Sequence, residues 1–240
     1  MCVLCTLLFV VPQPRRSKRR LGPSANPSFT PQEPVQLSFK SDFLQCVGES
    51  LSSQGFRHDK RVDWFTRKTN HRTEKIVPVF LDSNTTIRCW VGVRFDEVEA
   101  IFQQYTRLPD TSKQTADTIG LDLSLTRRPA IEIVVQDQKS TVELAATFLG
   151  TFLPLAMSFF AKYPDLQAVD SLLNSELGTY VPGCSHLQRR GKGIIVAYLL
   201  GRDDLEELAS RHQQELMRFP LLKNDMDIFN LIAAHLLGAG

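Results

Sequence analysis

The chain has 240 residues, 42% of them hydrophobic and 22% charged, the balance of an ordinary globular protein that can bury a sizeable core. Its formal net charge is +2, which excludes a bulk attraction to nucleic acid or anionic lipid. Five cysteines are an odd number, scattered through a chain large enough to need no disulfide framework, and point to a reducing, cytoplasmic setting.

At the N-terminus, Cys2 and Cys5 form a lone C-x-x-C with no second pair and no histidine at ligand spacing, so no zinc site is expected. The apolar run Val3–Val11 has no basic region before it and is followed by Pro12, Pro14 and a cluster of Arg15, Arg16, Lys18, Arg19 and Arg20. A secretory signal has the opposite charge order. Without that cluster the remaining chain is slightly acidic. Residues 12–34 are rich in Pro, Ser and Arg with almost no periodic apolar positions, a composition expected to stay disordered. The division expected is therefore a basic tail over residues 1–34 and a single domain over 35–240. No methionine lies between Met1 and Met157; Val35, at the edge of the ordered pattern, is a plausible alternative start.

Order is expected from about Leu37. Phe39, Phe43, Val47 and Leu51 recur at helical spacing, and Gly55 supplies a stop. Three strand-like segments follow, 61–69, 75–81 and 86–95, with turn residues at Asn70–His71 and Asp82–Ser83–Asn84. Pro78 removes a ladder donor and predicts an edge strand or a bulge. Asp96 with Glu99 has the pattern of a capping box opening a helix through Tyr105. A polar loop over 107–117 leads to strands at 119–125 and 130–135.

The second half reads as helical. Ser140 and Glu143 form a capping-box pattern before the uncharged stretch 144–161. That stretch approaches the length of a membrane span but holds Thr147, Gly150, Thr151, Pro154 and Ser158, and reads as a buried core helix. Asp165 opens a short helix carrying Leu166, Val169, Leu172 and Leu173. Residues 178–193, with Pro182 and Gly183, read as loop, and 193–200 as strand or buried helix. Asp203 and Glu206 are expected to cap a helix with Leu205, Leu208, His212 and Leu216 inside, and a last helix spans about 225–237. Strands before helices, without β-α-β alternation, predict an α+β fold with an antiparallel sheet of about five strands.

The segments Gly55–Phe56, Trp64–Phe65–Thr66–Arg67, Trp90–Val91–Gly92–Val93 and Phe159–Phe160–Ala161–Lys162–Tyr163 together resemble an uncharacterised bacterial family, the domain of unknown function 4304 type. The resemblance covers about residues 37–173 and leaves the C-terminal helices unmatched. It implies an α+β fold and brings no catalytic residues with it.

No catalytic constellation stands out. Asp110, Asp137 and Lys139 faintly echo a magnesium nuclease, but turn and cap positions account for them. The five histidines offer no dyad, and no serine has a nucleophile-elbow context. No cofactor or metal is expected. Arg189, Arg190 and Lys192 beside Gly191 and Gly193 read as a solvated basic loop, with anion contact as the functional alternative. In the alternating strand 86–95, Arg88, Trp90 and Arg94 share the face opposite the core. Trp and Arg dominate binding hot spots, so these three are the candidate partner surface, unless a C-terminal helix covers them. The function expected is a non-catalytic protein-interaction module in a bacterial cell. The alternatives are a nucleic-acid accessory protein using Arg15–Arg20 and Arg189–Lys192, and an enzyme with a dispersed site.

Overall fold

In a computed structural model the residues described are 34–69, 71–81, 85–106, 109–126, 128–135, 140–177, 181, 183–219 and 223–238. The Cys2–Cys5 pair, the cluster Arg15, Arg16, Lys18, Arg19, Arg20, and Asp137 and Lys139 lie outside them.

The first helix, α1, runs Pro34–Ser52, three residues earlier than the spacing predicts. Phe43, Val47 and Leu51, spaced four apart, are fully buried on one stripe, as an amphipathic helix requires. The chain leaves it through Gly55 at φ +83°, a left-handed conformation glycine adopts without steric cost. Strand β1 (Arg57–Asp59) and β2 (Trp64–Lys68) are joined by a turn in which Asp63 holds φ +56°. The single strand expected over 61–69 is thus a hairpin, because its first residues form that turn.

Strands β3 (Thr73–Leu81) and β4 (Thr86–Arg94) pair along their full lengths. Helices α2 (Asp96–Tyr105) and α3 (Asp110–Thr115) precede β5 (Ile119–Asp122), which gives way to a 3-10 turn over Leu123–Thr126. The two-residue β6 (Ile133–Val134) pairs with the start of β4. All pairings are antiparallel, in the order β1-β2-β3-β4-β5 with β6 beside β4. The fold class is α+β.

Pro78 stands opposite Cys89, beyond the last residue of β3 that pairs with β2. The Cys89 N–H donates to Ser124 Oγ at 3.2 Å, away from β3. Strand alternation therefore aims the proline nitrogen at the unpaired side, so β3 is locally an edge at the point where a donor is missing.

One sheet face is apolar. Phe65, Ile76, Ile87, Cys89, Val91 and Val93 are buried there and are covered by α1 and by α4 (Thr141–Lys162). Phe43 meets Phe80 and Phe148 edge-on, each at 5.6 Å between ring centres. Ser140 and Glu143 form the capping box as expected. Leu144, Phe148 and Phe152 are buried, while Leu155 and Phe159 are half-buried and Ala156 and Phe160 take the inner positions. At the C-terminal end, Arg72 donates to the carbonyls of Phe160 (3.0 Å) and Tyr163, occupying acceptors that no helical N–H can reach. Among the described residues α4 is the one helix long and apolar enough to cross a membrane.

Helix α5 (Leu166–Asn174) is capped by Asp165, whose carboxylate accepts from the Ala168 N–H at 2.9 Å. Helices α6 (His186–Leu199), α7 (Leu205–Met217) and α8 (Lys223–Gly238) complete the chain. Helix α6 sits among α2, α5, α7 and α8. Two expectations fail here. The second half of the loop read over 178–193 is the start of α6, and the N-cap position of α7 is Asp204 rather than Asp203, with no side-chain cap bond, since Arg202 holds the Asp204 carboxylate at 2.8 and 2.6 Å.

Candidate functional site

The outer face of the sheet divides into a covered half and an open half. Over β4 and β5 it is covered. Trp90 is half-buried, and its Nε1–H donates to Asp117 Oδ2 at 3.2 Å. A Cβ on Gly120 would stand 2.4 Å from the indole, and one on Gly183 would meet it at 3.1 Å and the Gly120 carbonyl oxygen at 2.0 Å. The chain ahead of α6 therefore lies directly on Trp90, and only glycine permits the approach. Gly92 is likewise roofed by the Asp117 carboxylate, 2.2 Å from where a Cβ would be.

The expected surface of Arg88, Trp90 and Arg94 is thus tied into the protein itself. Arg88 pairs with Glu132 at 2.7 Å. Arg94 pairs with Asp96 at 2.6 Å and donates to the carbonyls of Lys113 and Ala116, each at 2.9 Å. Trp90 is roofed by the segment entering a C-terminal helix, close to the alternative noted for it. Of the three, Arg94 reaches the open half.

Beneath the cover lies a buried ionic chain. Lys75 Nζ is 2.6 Å from Asp117 Oδ1, close in distance although poorly aligned for a hydrogen bond, and donates to the Thr115 carbonyl at 2.6 Å. Lys192 Nζ donates to the Asp117 carbonyl and pairs with Glu99 at 2.7 Å. Glu99 also accepts from Thr118 Oγ1 at 3.1 Å, and Thr118 Oγ1 accepts the Phe95 N–H. The capping box read at Asp96–Glu99 does not form: the N-cap position of α2 is Phe95, which has no side-chain acceptor, and Glu99 turns inward to meet Lys192.

Arg189, Arg190 and Lys192 are correspondingly no solvated loop. All three are buried in α6. Arg189 donates to the carbonyls of Leu173 (3.2 Å) and Glu176, and Arg190 to that of Leu177 (3.2 Å), serving the end of α5. Desolvation lowers the pKa of both guanidinium groups. Gly191 and Gly193, which suggested a loop, are close-approach positions inside the helix. A Cβ on Gly191 would stand 2.8 Å from Phe102, and one on Gly193 2.5 Å from Asn174 Oδ1. The signal that marks this helix is Ser185 with Gln188, a capping box with both reciprocal bonds present.

Other buried polar residues among those described are also structural. His212 is fully buried, with Nε2 2.8 Å from Asn174 Oδ1 and Nδ1 3.5 Å from Arg190. Desolvation and the neighbouring guanidinium groups bring its pKa down to about 3. Glu74 lies buried between Arg67 (2.6 Å) and Arg72. Burial raises the thiol pKa of Cys89, and that of Cys184 to about 11, so neither is an activated nucleophile. Among the described residues no group of three His, Cys, Asp or Glu side chains could hold a metal.

The open half, over β1 to β3, carries a groove of about 340 Å³ lined by Trp64, Thr66 and Lys68 of β2, Thr73 and Lys75 of β3, Arg94, and Gln114 and Thr115 of α3. The register pairs Thr66 with Lys75 and Lys68 with Thr73, which sets these side chains in rows on one face. Trp64 is half-buried, with Lys75 Nζ 5.2 Å from its ring centre, a cation–π contact that holds the indole across the groove. Asp59 and Arg61 close one end through paired contacts at 3.1 and 2.9 Å, and Arg61 lowers the Asp59 pKa to about 2. The alternation of 64–68 could have singled out Trp64 as it did Trp90; its segment holds too few apolar residues for the inner face to be evident.

No family model matches the chain, nor does any curated protein or solved structure.

Proposed function

We propose that the protein is a non-catalytic interaction module that binds a protein partner through the open half of its outer sheet face, with Trp64 as the anchor. The observation that carries this reading is the placement of Trp64 across a groove bordered by cations. Arg57, Arg61, Lys68 and Arg94 stand on this face against the carboxylates Asp59 and Asp96, so the strip has a positive surplus suited to an acidic partner surface. A half-buried tryptophan beside arginines is the composition of a binding hot spot. A bacterial cytoplasmic setting and a kinship with the domain of unknown function 4304 type belong to this same proposal. The buried engagement of Arg189, Arg190 and Lys192 leaves the nucleic-acid alternative with the basic cluster Arg15–Arg20.

The test is a quantitative affinity capture with the wild-type protein and Trp64→Ala as paired baits, followed by titration of whichever purified protein is lost. Trp64→Ala should weaken that complex by at least about 2 kcal/mol while leaving the melting temperature within a few degrees. Equal capture by both baits would remove the groove from the account. A complex that weakens steeply with salt and is lost on nuclease treatment would favour nucleic acid instead.

A further inference from the structure

A second cleft lies away from this groove, between α1 and the β1–β2 turn, with a volume of about 710 Å³. That is the size range of small-molecule sites. Three features set it apart from an accidental gap. His58 lines the cleft, and its Nε2 is buried yet has no hydrogen-bond partner among the described residues. The nearest carboxylate oxygen, on Asp63, is 3.8 Å away, beyond hydrogen-bond reach, and a buried polar atom without a partner is costly. Secondly, Asp63 holds the left-handed conformation, φ +56°, uncommon for a residue with a side chain and concentrated at binding sites. Thirdly, Gly48 forms part of the wall: a Cβ there would press on Phe65 at 3.2 Å and approach the His58 Cβ at 3.9 Å, where the imidazole stacks on Phe65 at 4.8 Å.

The cleft's charged groups are Lys40, Lys60 and Asp63. Lys40 Nζ sits 2.8 Å from Asp63 Oδ2, each side chain about a third exposed (36% and 37%). We infer that this cleft binds a small organic anion, its carboxylate or phosphate group received by Lys40, Lys60 and His58 Nε2, with Asp63 as the internal competitor for Lys40. Burial keeps the His58 pKa below its ordinary value, so the ring is neutral near pH 7 and its Nε2–H form supplies a donor without adding charge. A ligand anion replaces the Asp63 carboxylate at Lys40 and satisfies the imidazole nitrogen in the same step.

Calorimetric titration of the full chain at low ionic strength with inorganic phosphate and, separately, with citrate tests the site. At least one probe should bind saturably, and the ratio of the two affinities distinguishes a phosphate from a carboxylate ligand. Lys40→Met should weaken the preferred probe at least tenfold. Asp63→Asn should tighten it at least threefold, because asparagine tolerates the same backbone conformation and removes only the competing charge. Both positions are partly exposed, so thermal melts should remain close to wild type. Lack of saturation by either probe, wild-type affinity in Lys40→Met, or unchanged or weaker affinity in Asp63→Asn would overturn the inference.

Discussion

Lys192 Nζ of α6 stands 2.7 Å from Glu99 Oε1 of α2, with side-chain exposures of 1% and 0%. The pair, extended through Thr118 and the Asp117 carbonyl, fastens the helical half to the sheet. Removing one partner leaves a buried, uncompensated charge, which costs roughly 3–5 kcal/mol. Lys192→Met and Glu99→Gln should each lower stability by about that amount in urea melts. The double variant should lose clearly less than their sum, since it leaves no unpaired charge. Additive losses would mean that the two groups act independently.

Trp90 decides between packing and recognition. Its indole donates to Asp117 and fills the space left by Gly120 and Gly183. Trp90→Ala should therefore cost about 3 kcal/mol, the low end for emptying an aromatic site, and also remove the hydrogen bond to Asp117 Oδ2. A variant melting like wild type would show that the cover over β4 and β5 contributes no stability.

The sheet was legible because residues 87–95 carry an apolar side chain at every second position: Ile87, Cys89, Val91, Val93 and Phe95 all proved buried. Likewise the Ser140–Glu143 pattern marks the start of α4 in both sequence and structure. The covered face was not legible, because alternation says which side chains lie opposite the core and nothing about which distant segment lies over them. Gly183 meeting Gly120 is a contact between residues far apart in the chain. Residues 189–193 misled for a related reason. Clustered Arg, Lys and Gly ordinarily signal a solvated loop, but here the cations serve carbonyls of α5 and the glycines admit Phe102 and Asn174. The Trp64 groove needed the pairing register, which places β2, β3 and Arg94 side by side.

Two helical glycines should respond oppositely to the same change. A Cβ on Gly193 would stand 2.5 Å from Asn174 Oδ1 and 3.2 Å from His212 Nε2, whereas one on Gly150 meets nothing within 4 Å. Gly150→Ala should stabilise by about 0.5–1 kcal/mol, the helix-propensity gain. Gly193→Ala should destabilise by roughly 1–3 kcal/mol through overpacking, despite the same gain. Thermal melts of the two variants check both signs, and a stabilised Gly193→Ala would remove the close approach from the account.

The same network makes stability depend on acidity. His212 Nε2 lies 2.8 Å from Asn174 Oδ1, and the Asn174 amide nitrogen already donates to Asp170 (2.7 Å) and the Gly193 carbonyl (2.9 Å). The amide oxygen is therefore the acceptor, and His212 carries its proton on Nε2. Nδ1 faces Arg190, and Arg189, Arg211 and Arg202 add further positive charge nearby, so protonation is strongly opposed and the pKa falls to about 3. In the unfolded chain the imidazole titrates at its ordinary pKa of about 6.5. Between those values the unfolded state binds more protons, so the contribution is fully present above about pH 6.5 and is lost as pH falls towards 3. The limiting slope is about 1.4 kcal/mol per pH unit. His212→Gln keeps a neutral donor for Asn174 and cannot titrate. Its stability should fall less than wild type between pH 6.5 and 5, by up to about 2 kcal/mol on that slope. Urea melts at the two pH values read the difference directly. Parallel losses in both proteins would place the acid sensitivity elsewhere.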